Sequence, residues 1–297
     1  MAHLRITVFT PAYNRGYIIE KLYRSLQRQS FRDFEWIVVD DGSTDNTEAL
    51  FKQYLADENF FPIRYFKTQN GGKHRAINKG VSLAAGELFY IVDSDDYLPD
   101  DALRIIDYYE ATIPQDKKHL FGGVCGQKGF KGNAGIGNTF EGEVLDITML
   151  ERPKYNISGD KAEAFYTDIM RRYPFPEFEG EKFVTECVVW DKIAADGYKL
   201  RFFNEITMTC EYLPDGLTAQ GEALLLGSPK GYGLYLYQCG LFGKIQGLNK
   251  WHKYLSFYYS LRGKLNFFKI ANCLCINPVY LWLRLFGMRV FYKLYSK

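Results

Sequence analysis

Two hydrophobic periods alternate along the first 110 residues. RITVFT (5–10) and FEWIVVD (34–40) are short, nearly continuous apolar runs, the pattern of strands buried on both faces. Between them, residues 16–30 (GYIIEKLYRSLQRQS) place Ile18, Leu22, Tyr23 and Leu26 on one helical stripe. After the second run, STDNTEALFKQYLA predicts another helix, with Ser43, Thr44 or Asp45 as its cap. IRYFK (63–67), HRAINKGVSLAA (74–85) and ELFYIVD (87–93) continue as strand, helix and strand. PDDALRIIDYYEA (99–111) opens with Pro and two acids, as a helix N-terminus should. Strands and helices alternating at these lengths predict an α/β fold with a doubly wound, mostly parallel sheet flanked by helices.

In such sheets ligands bind beyond the carboxyl ends of the strands. Thr10–Asn14, Asp40–Asp45, Gln69–His74 and Asp93–Asp96 each follow one of the four predicted strands, so one mouth should collect all four clusters. Further on the pattern weakens. Residues 121–142 are glycine-rich and read as strands or a mobile loop, while 181–205 read as a helix, a turn at Asp196-Gly197 and a strand.

Charge changes the picture at the far end. No Asp or Glu occurs from 223 to 297, whereas eleven Lys or Arg do, leaving 26 basic against 35 acidic residues before that point. The expected division is therefore a body at 1–222 and a helical, basic, aromatic region at 223–297. Composition otherwise fits a folded protein, with 47% hydrophobic and 24% charged residues. The six cysteines form no C-x-x-C pair and MAHLRITVF is no signal peptide, which predicts a reduced, cytoplasmic setting.

The candidate chemistry lies in the four clusters. VDSDD crowds Asp93, Asp95 and Asp96 behind an apolar strand, a repulsive arrangement unless water, a donor or a cation relieves it. Hard oxygen ligands at this spacing suit Mg²⁺ or Mn²⁺; the plain alternative is an Asx-turn leading into the next helix. Asp40 and Asp41 end the second strand, where a carboxylate could accept from the imide N–H of a uracil or thymine ring, or simply shape the turn with Gly42. QNGGKHR places Lys73 and backbone amides at a helix start, a plausible diphosphate contact or a solvated basic turn. The four histidines have no paired spacing, and no G-x-S-x-G occurs, so zinc and serine-hydrolase chemistry have no support.

Taken in order, TVFTPAYNR, LQRQSFRDFEWIVVDDGSTDNT and QNGGKHRAINKGVSLAAGELFYIVDSDD resemble the inverting family 2 glycosyltransferases of GT-A fold, of the type that builds bacterial surface polysaccharides. The resemblance covers residues 5 to about 100. It implies a GT-A-like sheet, a nucleotide-diphosphate-sugar donor (UDP favoured), an acceptor hydroxyl on a glycan or lipid-linked molecule, and Mn²⁺ or Mg²⁺. Carried over, Pro11 and Tyr13 wall the nucleobase, Asp41 or its neighbour Asp40 reads it, and Asp95 lies near the ribose. Asp96 with Asp93 holds the metal. The family's base is usually an Asp in a Glu-Asp pair ahead of a Trp and a Gly-Tyr. Anchored on Trp190 and Gly197-Tyr198, those slots fall on Thr185-Glu186, so Glu186 is the expected base although it departs from the pattern, and Glu181 is its rival.

Two other functions compete. A haloacid-type phosphatase shares the acidic turn after a strand, but here the two aspartates are adjacent. A non-catalytic sugar-nucleotide or glycan-binding module would explain the Thr185-Glu186 departure. The C-terminal region interleaves aromatics with cations, and a helix there would put Arg289, Lys293 and Lys297 on one face. Its longest uncharged stretch, 270–283, is too short to span a bilayer, so the expected partner is an anionic membrane surface touched peripherally, at the inner face. Packing on the body or on a second subunit is the alternative. Nucleic acid is not expected, because no binding module accompanies the charge.

Overall fold

A computed structural model describes residues 4–295 except 133, 212 and 214, without the side chains of 218–220 and 288–295. The predicted face of Arg289, Lys293 and Lys297 lies outside these described side chains.

The chain builds one eight-stranded sheet in the order β3-β2-β1-β4-β7-β5-β8-β6. Its first half is the predicted parallel unit: β1 (Leu4–Ala12), β2 (Phe34–Asp40), β3 (Ile63–Lys67) and β4 (Gly86–Ile91). In the second half, β7 (Lys161–Tyr166) runs antiparallel between β4 and β5 (Phe121–Gly129). Beyond them, β8 (Lys199–Thr209) is parallel to β5, and β6 (Val144–Ile147) closes the edge antiparallel.

Strand alternation sorts the apolar side chains into two cores. Ile6, Val8, Trp36, Val38, Leu88 and Tyr90 meet α1 (Glu20–Gln27), α2 (Thr47–Ala56) and α4 (Ala102–Ala111) on one face. Phe9, Ile37, Val39 and Phe89 meet α3 (Lys73–Leu83), α5 (Thr167–Arg172) and α6 (Cys187–Ala195) on the other. Glu35, near the start of β2, survives burial because Thr7 Oγ1 and the Ala85 N–H donate to it at 2.8 and 2.7 Å and Arg64 pairs with it at 3.1 Å. The helix predicted over 16–30 begins later, at Glu20. Gly16 is pressed so close to Asn46 that a Cβ would sit 2.0 Å from its Oδ1, and residues 15–19 form a turn first. Of the three predicted cap residues for α2, Asp45 accepts from the Thr47 N–H at 3.0 Å.

Strand order sets the site's position. The chain steps outward from β1 through β2 to β3, then returns to the other side of β1 as β4. The reversal opens a crevice above the carboxyl ends of β1 and β4.

After the sheet come α7 (Leu217–Leu226), α8 (Pro229–Leu241), α9 (Gly247–Leu261), α10 (Phe267–Cys273) and α11 (Pro278–Tyr295). The last four share a third core centred on Leu236, Tyr254, Phe257, Ile270, Leu281 and Leu285. The Glu181 carboxylate joins this region to the body, accepting from the Lys230 and Gly231 N–H groups at 2.8 and 2.9 Å at the start of α8. Among the described residues no single helix is long and apolar enough to cross a membrane. The pair formed by α10 and Pro278–Gly287 reaches the length and composition only across a 100° bend.

Candidate active site

The crevice is a cavity of about 1040 Å³, and residues from all four strand-end clusters line it. The β1 end contributes Pro11, Tyr13 and Asn14; Tyr13 is 47% exposed and turned to the opening. Asn14, in the left-handed region at φ 52°, ties this loop to the next one. Its N–H donates to Ser43 Oγ at 2.8 Å and its side-chain oxygen accepts from the Thr44 N–H at 2.8 Å.

The two aspartates ending β2 part company. Asp40 is fully buried, accepts from the Ser43 N–H at 2.7 Å and from the Tyr65 hydroxyl, and does not line the cavity. Asp41 does line it, and both its oxygens grip the following loop, accepting from the Gly71 and Gly72 N–H groups at 2.7 Å each. Burial raises the Asp41 pKa while these two amides pull it back. Gly72 is obligatory here: its φ is +98°, and a Cβ would meet the Lys182 carbonyl oxygen at 1.8 Å.

That clamp delivers Lys73 to the first turn of α3, where its ammonium lies between two carboxylates, 2.6 Å from Asp93 and 2.7 Å from Glu186. Burial opposes the charge, but Asp93 and Glu186 outweigh it and raise the Lys73 pKa. Asp93 is half-buried, and although desolvation pushes its pKa up, the Lys73 and Lys128 cations hold it below the usual carboxylate range. Glu186, capping position of α6, therefore stands at the cavity wall beside the β4 aspartates, 93 residues from Asp93 in sequence.

The three crowded aspartates face different ways. Asp93 and Asp95 line the cavity, whereas Asp96 is only 6% exposed and turned behind it, 3.8 Å from Lys128 and accepting from the Cys210 thiol at 3.4 Å. Burial pushes the Asp96 pKa up to about 7 despite Lys128. Burial and then Asp93 raise Asp95. No ion pair engages Asp95 among the described residues, nor does any group of three or more His, Cys, Asp or Glu there have the geometry to enclose an ion. The donor set still fits a hard divalent ion of the Mg²⁺ type, which takes one or two carboxylates and completes its shell with water and phosphate oxygens. Asp95, with Asp93 beside it, offers those oxygens to the cavity.

Residues 7–112 match the family model for glycosyl transferase family 2. Over these residues, about a third of the chain, the sequence is similar to that family. Among its relatives is the GalNAc(5)-diNAcBac-PP-undecaprenol beta-1,3-glucosyltransferase of Campylobacter jejuni, 29% identical over 192 residues, which are 63% of this chain and 58% of that protein. The chain thus spans little more than half that relative's length. The fold is that of TarS 1-349 from Staphylococcus aureus, solved in complex with UDP-GlcNAc, with a TM-score of 0.62 and 22% identity over 88% of this chain and 73% of that one. The mannosyltransferase PcManGT from Pyrobaculum calidifontis, solved with GDP-Man and Mn²⁺, matches with a TM-score of 0.54 and 20% identity over 98% and 82% of the two chains.

Of the residues singled out from sequence, Pro11, Tyr13, Asp41, Lys73, Asp93, Asp95 and Glu186 gather on the cavity. Asp40 and Asp96 stand behind its wall, and Glu181 is spent on the start of α8. The middle third adds residues that the sequence reading missed: Lys128 from β5, Arg152 from the turn at Met149–Tyr155, and Lys161 and Glu163 from β7. Burial raises the Glu163 carboxyl to about 7. Lys161, 2% exposed, donates to Gln127 Oε1 at 2.6 Å and the Ile136 carbonyl at 3.0 Å. The available signal was the i, i+2 spacing of Lys161 and Glu163 around alanines in KAEAFY, which puts both on one side of a strand.

Proposed function

We propose that this chain transfers a sugar, with inversion, from a nucleotide-diphosphate sugar to a hydroxyl of a glycan or lipid-linked acceptor in envelope polysaccharide synthesis. The observation that carries the reading is the convergence of Asp93, Asp95, Lys73 and Glu186 on one cavity at the strand-order reversal. UDP is the favoured nucleotide. It is the nucleotide in the TarS complex, and the Campylobacter relative's name describes a lipid-diphosphate-linked acceptor. Residues 1–222 would form the catalytic unit and 223–297 its helical extension.

Each role follows from chemistry. Pro11 and Tyr13 would flank the nucleobase, and a lone pair left on Asp41 Oδ1 would accept from its imide N–H. Lys73 and the α3 N-terminus would bind the diphosphate. Asp95, assisted by Asp93, would hold a divalent ion of the kind bound to the PcManGT mannosyltransferase; when bound, that ion supplies positive charge against the departing diphosphate. The acceptor oxygen attacks the anomeric carbon opposite the diphosphate. As the new C–O bond forms and the bond to the diphosphate breaks, Glu186 takes the hydroxyl proton. Lys73 fixes the Glu186 carboxylate in place for that step.

A phosphatase reading finds no accessible nucleophile in the first aspartate of the β2 pair, because Asp40 is 0% exposed. The test is to screen UDP-sugars for hydrolysis and for transfer to lipid-linked and glycan acceptors, with Glu186→Gln alongside. Turnover that the Gln variant loses supports the proposal. Donor binding with no turnover in either protein would make the chain a binding module.

A further inference from the structure

We infer that the outward face of α11, with the end of α10, is a seat for the headgroup–acyl boundary of an anionic membrane. Val279, Trp282, Leu283 and Phe286 recur at i, i+3, i+4 and i+7, so they form one helical stripe. They are 67, 54, 55 and 55% exposed, and Phe268 of α10 adds another exposed ring. Trp282 and Phe286 stack with centroids 5.4 Å apart. On the opposite side of the same helix, Leu281 and Leu285 are buried in the third core. The helix is thus apolar on both sides, one satisfied by packing and one left in water, an arrangement costly for a soluble surface.

Charge selects the occupant. The whole segment from 223 onward carries eleven Lys or Arg and no acid. A second copy docking through this face would bring together two regions that each carry a net positive charge, whereas anionic lipid complements that charge. The geometry selects attachment over spanning. One side of α11 is committed to the protein core, and the 100° bend after α10 interrupts any continuous span. At 1.5 Å per residue its 18 residues lie along about 27 Å of the surface. Aromatic and aliphatic side chains then enter the boundary while the net positive charge of the region favours anionic headgroups. The placement is functional as well as adhesive: α7, packed against α8, sends Leu224 and Leu225 to the cavity wall, so the helical region adjoins the active site.

Sedimentation of the full chain with vesicles tests this without any sugar-transfer assay, so its failure is separate from failure of the proposed activity. We expect binding to phosphatidylcholine vesicles containing phosphatidylglycerol, little to phosphatidylcholine alone, and weakening in high salt. Val279→Ser, Trp282→Ser, Leu283→Ser and Phe286→Ser combined should lower the partition at least about tenfold while circular dichroism is unchanged. If the fourfold variant misfolds, Trp282→Ser alone should still lose roughly threefold. Native protein that ignores both vesicles, or variants that bind as well as native, would overturn the inference. So would a dimer, seen by light scattering, that the variants dissolve.

Discussion

Along β2, Trp36 and Val38 enter one core, Ile37 and Val39 the other, and all four are fully buried. Along α11, Leu281 and Leu285 are buried while Trp282, Leu283 and Phe286 stand in solvent. The sheet consumes its apolar surface internally and presents charge at its mouth. The helical region presents apolar surface and positive charge together. A strand layered by helices on both faces has no spare side; a helix at the edge of a small core has one, and what it carries there describes its surroundings. The same contrast holds for carboxylates. In the body they are placed against cations and amides with care, and beyond 222 there are none.

The sharpest way to break this contrast is at the mouth. Glu186→Gln should reduce transfer by about 10²–10⁴-fold with donor affinity retained, read as a fall in kcat at constant donor binding. An equal loss of donor binding would make Glu186 a positioning group for Lys73. Next, Asp95→Asn should weaken metal-supported nucleotide binding more than about tenfold, and more than Asp96→Asn does. The reverse order would return the metal to Asp96, the assignment drawn from the resemblance.

A smaller effect is expected at the seam between the regions. Glu181→Ala leaves two amides at the start of α8 without their acceptor, costing about 1–3 kcal/mol. Hydrogen exchange should show α8 to α11 opening earlier while the sheet keeps its protection. Uniform destabilisation would mean that the two regions unfold as one. The smallest effect concerns His74, which is 1% exposed and whose ring nitrogens have no hydrogen-bond partner among the described residues. Burial, then Arg75, lowers its pKa from 6.5 to about 4, so the folded state keeps it neutral. That contribution is complete above the unfolded value and is lost as pH falls from about 6.5 toward 4. Urea unfolding across that range should show a steeper acid decline for native protein than for His74→Leu. Parallel declines would assign the acid sensitivity to carboxylates instead.

The first half of the sheet was legible because β1, β2 and β4 carry nearly continuous apolar runs followed closely by polar residues, so strand, boundary and mouth coincide in sequence. In the second half only α6 and β8 were, as the helix, turn and strand expected over 181–205. β5 reads FGGVCGQKG, where glycines replace the side chains that carry periodicity, and β7 reaches its partners β4 and β5 only through long-range pairing. Within the mouth, spacing brought Asp93, Asp95 and Asp96 together but left open which of them face the cavity. That is decided by the turn, which puts Asp96 against Cys210 and Lys128. For Glu186 and Glu181 likewise, five residues apart, only the tertiary placement of α6 and α8 separates a cavity wall from a helix start.

The central claim is that this mouth is a nucleotide-sugar donor site, and calorimetric titration of UDP with Mn²⁺ and then with EDTA tests it most directly. The account predicts saturable binding with Mn²⁺ that is largely lost with EDTA and with Asp95→Asn. The absence of binding by UDP, GDP and dTDP in either condition would contradict it.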